Sequence, residues 1–281
     1  MDNQSDRATH RRGAYGLEIV GLHGADTMLV RSGASWPALR VVVERGDPPA
    51  APPSLDDNAA VVRFTNGGAL IVDRRAALAT YTLPEGASAE ELVHPYLAPA
   101  AAAMSRWHGR EAFHAGAFVS GAGAWGLLAE REGGKSSTLA RLAVEGTPIL
   151  CDDVLVVDGP TAFAGPRAID LREGAARELA AGRSLGVVGT RERWRMELDQ
   201  VDAEVELRGW IFLTWDDRVA LEPVPPGGRL RVLAGQRAVV LPPLDPTVLL
   251  RLAALPGYEL RRPHRWSSIG MAVQLLLTEL G

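Results

Sequence analysis

The feature that most constrains this chain is the segment Gly126-Leu-Leu-Ala-Glu-Arg-Glu-Gly-Gly-Lys-Ser-Ser-Thr138, which sets Gly133, Gly134, Lys135 and Ser136 between an apolar run and a helical pattern. Residues 125–128 read as the end of a buried strand, and residues 138–143 as the first turns of a helix. A helix that starts there aims unpaired N–H groups and the positive end of its dipole at the turn, which favours an anion. In the Walker A pattern the lysine reaches the outer phosphates of a nucleotide and the next hydroxyl ligates Mg²⁺. Those are the roles expected of Lys135 and Ser136, with Gly133, Gly134 and Ser137 completing the phosphate-binding turn. Ala129 stands where the pattern has its first glycine, and Glu130, Arg131 and Glu132 charge the turn. Taken alone, the segment also fits a plain strand-turn-helix connection.

Two further signals lie at fixed distances. His114 opens a β-prone segment 21 residues before Lys135, and the apolar stretch of residues 147–158 is interrupted by Asp152 and Asp153, the latter 18 residues after Lys135. Adjacent carboxylates inside a buried strand are costly unless a cation or a proton-transfer task holds them.

His114, the loop ending in Gly134-Lys135-Ser136, and the strand Ile149-Leu-Cys-Asp-Asp-Val154 together resemble the core of the HPr kinase/phosphorylase superfamily. The similarity covers about residues 90–160 and includes residues 92–103, which look like the helix preceding the histidine strand in short bacterial HPr-kinase-like proteins. The resemblance implies an α/β fold related to phosphoenolpyruvate carboxykinase: a mixed-sheet P-loop core with an N-terminal antiparallel β accessory region. It also implies that Lys135 and Ser136 bind the phosphates of ATP and Mg²⁺, that Asp153 takes the proton of an acceptor hydroxyl, that Asp152 helps hold the metal, and that His114 sits beside the reacting phosphate. Asp170 and Glu178 are the candidates for a second metal carboxylate. The chain lacks two of the family's loop glycines and the Glu-Ile-Arg-Gly signature of the HPr-acting enzymes, which weighs against HPr as acceptor. Tailoring kinases of ribosomally made peptides, such as lasso peptides, share the outline.

The composition, 47% apolar and 23% charged, is ordinary for a globular chain and unlike a disordered one. No stretch approaches the roughly 18 consecutive apolar residues of a membrane span. The polar start lacks the hydrophobic segment of a secretory leader, so the cytoplasm is the expected location. A net charge of −4 gives no broad attraction to nucleic acid or to anionic lipid, and neither is an expected partner. The single cysteine, Cys151, excludes an internal disulfide and reads as a buried structural thiol. Arginines cluster at residues 191–195 and 261–265. Each cluster is read as a solvated face or as a phosphate contact, with Arg193 and Arg195 favoured for the second role because guanidinium forks match phosphate oxygens.

Residues 1–13 read as a mobile polar tail, 14–88 as a β-rich accessory domain and 89–281 as the nucleotide-binding catalytic domain. Asn66-Gly67 between two β-prone runs signals a hairpin. Ser88 is the expected cap of a helix that Pro95 and Pro99 must kink. A helix is expected over about 171–181 and a strand over 205–215, then short β runs with Pro-Pro and Gly-Gly turns over 218–244 and a mostly helical stretch from 246 to 281. The function expected from all this is an ATP- and Mg²⁺-dependent kinase acting on a hydroxyl, first a Ser on a peptide or protein. The alternatives are a small-molecule hydroxyl kinase and a non-catalytic nucleotide-binding regulator. Homo-oligomerisation stays open.

Overall fold

Short apolar runs broken by Gly, Pro and Asn build the first part of the chain into one eight-stranded sheet. In the computed structural model, which describes residues 11–48, 50–83, 88–121, 123–239 and 245–281, its strands are β1 (Arg12–Ala14), β2 (Leu17–Val20), β3 (Val30–Arg31), β4 (Ala38–Glu44), β5 (Ser54–Leu55), β6 (Ala59–Arg63), β7 (Ala69–Asp73) and β8 (Leu78–Thr82). Their order is β3-β1-β2-β4-β8-β7-β6-β5. Residues 1–10 of the expected tail lie outside the described residues, whereas Arg12 and Gly13 belong to β1, Arg12 opposite Arg31 of β3 and Gly13 opposite Glu18 of β2. The Asn66-Gly67 hairpin forms as the sequence predicts: β6 and β7 are antiparallel, Gly67 has φ 89°, and Asn66 Oδ1 accepts from the Gly68 amide at 3.1 Å.

The expectation of an antiparallel sheet needs correction. β2 runs parallel to β4, and β4 parallel to β8. No tight turn follows β4; the chain makes β5, β6 and β7 first and returns beside β4 only as β8, in the same direction. Patterning within a strand shows which face is buried but not which strand lies next to it.

Ser88 caps α1 (Ala89–Glu91) by accepting the Glu91 amide. His94, with φ −148° and ψ 120°, then breaks the helical course before α2 (Leu97–Trp107). Ala100, Ala101, Ala102 and Ala103 are all buried, and this small-residue helix lies against β6, β7 and the first strand of the second sheet.

That second sheet carries the site. Its elements are β9 (Glu111–Phe113), β10 (Ala115–Ser120), β11 (Gly123–Ala129), α3 (Lys135–Val144), β12 (Ile149–Cys151), β13 (Leu155–Asp158) and β14 (Thr161–Phe163). After it come β15 (Ala168–Leu171), α4 (Glu173–Leu179), β16 (Arg183–Val188) and β17 (Arg191–Glu197), a small sheet of order β15-β17-β16 with one helix. The chain then returns as β18 (Glu204–Trp215), β19 (Ala220–Pro223), α5 (Pro226–Gly235), α6 (Val248–Ala254), β20 (Gly257–Arg262) and α7 (Ser267–Leu280). The strand order is β12-β10-β11-β18-β14-β13-β9, with β20 beside β18 and β19 beside β20. β11, β18 and β20 are parallel while β10, β12, β13 and β14 are antiparallel to their neighbours, so the fold is mixed α/β.

Both faces of this sheet are covered. Leu128, Trp210 and Phe212 join the cluster that includes α2 and the first sheet, while Trp125, Leu127, Ile211 and Leu213 pack with Leu139 and Leu142 of α3 and Val273 and Leu276 of α7. A strand covered on both sides reads as a near-continuous apolar run, and every residue of β11 is buried. Two late elements depart from expectation. Only β19 of the short β runs over 218–239 forms, and Pro226-Gly227-Gly228 begins α5 instead of a turn. Pro at the first helical position is pre-organised for it, and the buried Leu233 anchors the helix against the cost of its glycines. The Pro-Pro pair at 242–243 lies outside the described residues. Within the stretch expected to be helical, Gly257–Arg262 is a strand. No described helix is long and apolar enough to cross a membrane.

Candidate functional site

β11 delivers the loop of residues 130–134 to the start of α3. The loop closes by the Gly133 amide donating to the Glu130 carbonyl at 2.8 Å. Gly134, with φ 85°, is the residue before the helix, a left-handed conformation that glycine adopts without a side-chain penalty. Thr138 returns both its amide and its hydroxyl to the Gly134 carbonyl, each at 2.9 Å. The first amides of α3 therefore face out of the loop with Lys135, Ser136 and Ser137 on the opening turn.

The carboxylate pair comes to the same place by strand register. Ala117 pairs with Cys151 and Phe113 with Leu155, one register carried across a gap, so residues 152–154 lie opposite 114–116. The ladder opens there. His114 gives its amide to Gln236 at 2.7 Å instead, and Asp153 adopts φ 73°. A non-glycine residue in that region is uncommon, Asp being among those that tolerate it, and such residues cluster at functional sites. Gly116 lies under α3, where a Cβ would run into Leu139 Cδ1; its lack of a side chain lets the helix approach.

The side chains meet. Lys135 Nζ donates to the Asp153 carbonyl at 3.3 Å, the Ser136 hydroxyl donates to Asp152 Oδ1 at 3.2 Å, and His114 Nδ1 is 3.7 Å from Asp153 Oδ1. Asp152 is buried, whereas His114 and Asp153 keep 56% and 38% of their side chains exposed, enough to face a ligand. Burial and the Lys135 charge both lower the His114 pKa, against the pull of Asp153 and Asp152, so the ring is neutral near pH 7. Burial works to raise Asp153, but Lys135, His94, His114 and Arg193 outweigh it and hold the carboxyl below its usual range. Burial, with Asp152 beside it, pushes the Cys151 thiol well up, which fits the inert role expected of it. Among the described residues no group of three or more His, Cys, Asp or Glu is arranged to hold a metal. The Ser136 hydroxyl and the Asp152 carboxylate nonetheless suit Mg²⁺, which is commonly bound by one or two carboxylates plus the phosphates of a substrate.

The candidates outside this group are placed differently. Asp170 is buried and held by Arg195 through two bonds, Nε to Oδ1 at 2.8 Å and Nη2 to Oδ2 at 3.0 Å, with Arg193 at 3.3 Å. Its oxygens are committed to guanidinium groups, so Asp170 does not supply a free metal carboxylate. Glu178 is exposed on α4. Arg195, favoured for phosphate, is buried and structural: besides Asp170 it donates to the carbonyls of Glu90 at 3.1 Å and His94 at 2.6 Å. The kink explains why those carbonyls are free. With φ −148° and ψ 120°, His94 leaves the helical course, so its amide is turned away from the Glu90 carbonyl and its own carbonyl away from the helical direction. Arg193 remains near Asp153, and Arg191 and Arg172 join it. Burial and the neighbouring charges of Arg193 and Arg172 lower the Arg191 pKa, while Arg172 pairs with Glu132 of the loop at 2.6 Å. Arg172 escaped the site expectations because nothing in its spacing links it to Lys135, and Arg262 entered them only within the 261–265 cluster read as a solvated face or a phosphate contact.

No family model matches the chain, and no curated protein matches it. Among solved structures, the Hpr(Ser) kinase/phosphatase from Coxiella burnetii is similar at 12% identity, over 60% of this chain and 97% of that one, with a TM-score of 0.31.

Proposed function

We propose that this protein is an ATP- and Mg²⁺-dependent phosphotransferase of the cytoplasm whose acceptor is a hydroxyl, first a Ser of a peptide or protein. The observation that carries the proposal is the meeting of Lys135, the Ser136–Asp152 pair and the His114–Asp153 pair at the N-terminus of α3. Phosphoryl transfer asks little covalent chemistry of a protein; it asks for cradled phosphates, a metal and an oriented nucleophile. The α3 amides and Lys135 would hold the phosphates, and Ser136 with Asp152 would hold Mg²⁺, which when bound neutralises charge on them. Asp153, whose carboxyl Lys135 and Arg193 help hold below its usual range, would orient the acceptor hydroxyl and take its proton. Neutral His114 would hydrogen-bond the reacting phosphate. The Ser acceptor follows from the motif resemblance to HPr-kinase-like enzymes. A purely regulatory nucleotide binder would need no carboxylate facing the loop, so catalysis is preferred.

Titration calorimetry with Mg-ATP tests the nucleotide half of this. Wild type is expected to bind, and Lys135→Ala to bind about 10–100-fold more weakly, the worth of a charge-assisted contact. Absence of binding by wild type at millimolar nucleotide would overturn the proposal.

A further inference from the structure

Three parallel strands, β11, β18 and β20, end side by side at Ala129, Trp215 and Arg262. In open α/β sheets ligands bind outside such carboxyl ends. Arg262 is 3% exposed, yet its guanidinium has neither an ion pair nor a hydrogen bond among the described residues, and its Nε is buried without a partner. Burial alone, with no carboxylate to offset it, lowers its pKa to about 10, so the group is still charged at neutral pH. A buried charge without a counter-ion is expensive, and sites that bind ligands are where such groups collect.

The guanidinium is aimed at the loop. A Cβ added to Gly134 would run into Arg262 Nη2 and would lie 3.1 Å from Trp215 Cη2. Arg262 sits over the Trp215 ring, 4.3 Å from its centroid, which holds the fork in place through its cation–π attraction. Trp215, 40% exposed, also meets the ring of exposed His264 at 4.3 Å between centroids. A cation lacking its anion and an exposed aromatic surface thus stand together on the flank of the loop that His114 and Asp153 do not occupy.

We infer that Arg262, Trp215 and His264 form the nucleoside side of the phosphate-binding site, Arg262 bonding a phosphate oxygen beside Gly134 and the Trp215–His264 surface stacking the base. The inference rests on the reading of the loop as a nucleotide site. Stacking surfaces of this kind accept any base, so selectivity among purine nucleotides should be weak.

Calorimetry with two probes, Mg-ATP and Mg-tripolyphosphate, separates the parts. Arg262→Gln should weaken both by about 10–100-fold. Trp215→Ala should weaken Mg-ATP by about tenfold and leave Mg-tripolyphosphate unchanged. Arg262→Lys, which keeps the charge but not the fork, should fall between wild type and Arg262→Gln, and thermal melts of each variant identify any that fail to fold. If Arg262→Gln proves unstable, the Trp215→Ala and Arg262→Lys results carry the test. Wild-type affinity for Mg-ATP in folded Arg262→Gln and Trp215→Ala, alongside weakened binding by Lys135→Ala, would overturn this inference and leave the nucleotide site standing. No binding of either probe by wild type would overturn both.

Discussion

Replacing Arg195 by leucine is expected to destabilise the fold by about 3–5 kcal/mol, the usual cost of leaving one member of a buried ion pair alone. Both partners are almost wholly buried, with side chains 1% exposed. The substitution leaves the Asp170 carboxylate only its longer contact with Arg193 at 3.3 Å and strands the Glu90 and His94 carbonyls that Arg195 now satisfies. Denaturant unfolding measures the loss. Removing Asp170 as well, in Arg195→Leu/Asp170→Leu, should restore part of it, because the poorly compensated buried carboxylate goes too. A single-variant loss below about 1 kcal/mol would mean that the pair does not hold these elements together.

The same pair fixes the sign of a pH effect. Burial would raise Asp170, but the adjoining His94 ring and the bonds and charge of Arg195 and Arg193 hold its carboxyl below the usual range. Its contribution to stability is therefore fully present above the ordinary carboxylate pKa and is lost as the pH falls through the depressed folded value. In Arg195→Leu the sign reverses. Without the bonds and charge of Arg195, burial, the largest influence on this carboxyl, outweighs what Arg193 still supplies, so the variant's deficit should shrink on mild acidification.

Much of the candidate site was legible because it is local. The loop, its lysine and the helix that follows lie within one stretch of chain, and an acid pair in an apolar strand announces itself by cost. The meeting of His114 with Asp153 depends on a strand register that spacing suggests but does not contain. Arg195 shows the opposite difficulty. In sequence it is one arginine of an exposed-looking cluster; only the pairing of Asp170 with Arg195 in β15 and β17 and the carbonyls freed at His94 make it a buried strut. Arg262 lay inside a stretch read as helical, although Pro256 and Pro263 bracket Gly257–Arg262 and the residue before a proline favours extended backbone. The parallel neighbours β2, β4 and β8 were hidden for a different reason: hairpins carry turn signals, while long-range parallel pairing carries none.

Asp153→Asn is expected to lower the chemical step by about 10²–10⁴-fold, the range a positioned base contributes, while nucleotide affinity stays near that of wild type. The substitution is structurally mild. Asn tolerates the left-handed backbone at this position as well as Asp does, and the carbonyl that accepts from Lys135 Nζ is main chain, so the lysine contact survives. What is lost is the ionised oxygen 3.7 Å from His114 Nδ1. Because the neighbouring cations depress the Asp153 pKa, wild-type turnover should hold as the pH falls to the ordinary carboxylate range and decline only below it. Asp152→Asn should behave differently. Its carboxylate adjoins the Ser136 hydroxyl, and weakening a hard-cation site with so few charged ligands raises the Mg²⁺ concentration needed for half-maximal rate. Phosphate transfer to a Ser-bearing peptide, scanned over Mg²⁺ and pH for both variants, distinguishes the two roles. Wild-type turnover by Asp153→Asn on a demonstrated acceptor would remove the base from the proposed mechanism, and the transfer would then rest on phosphate and metal positioning alone.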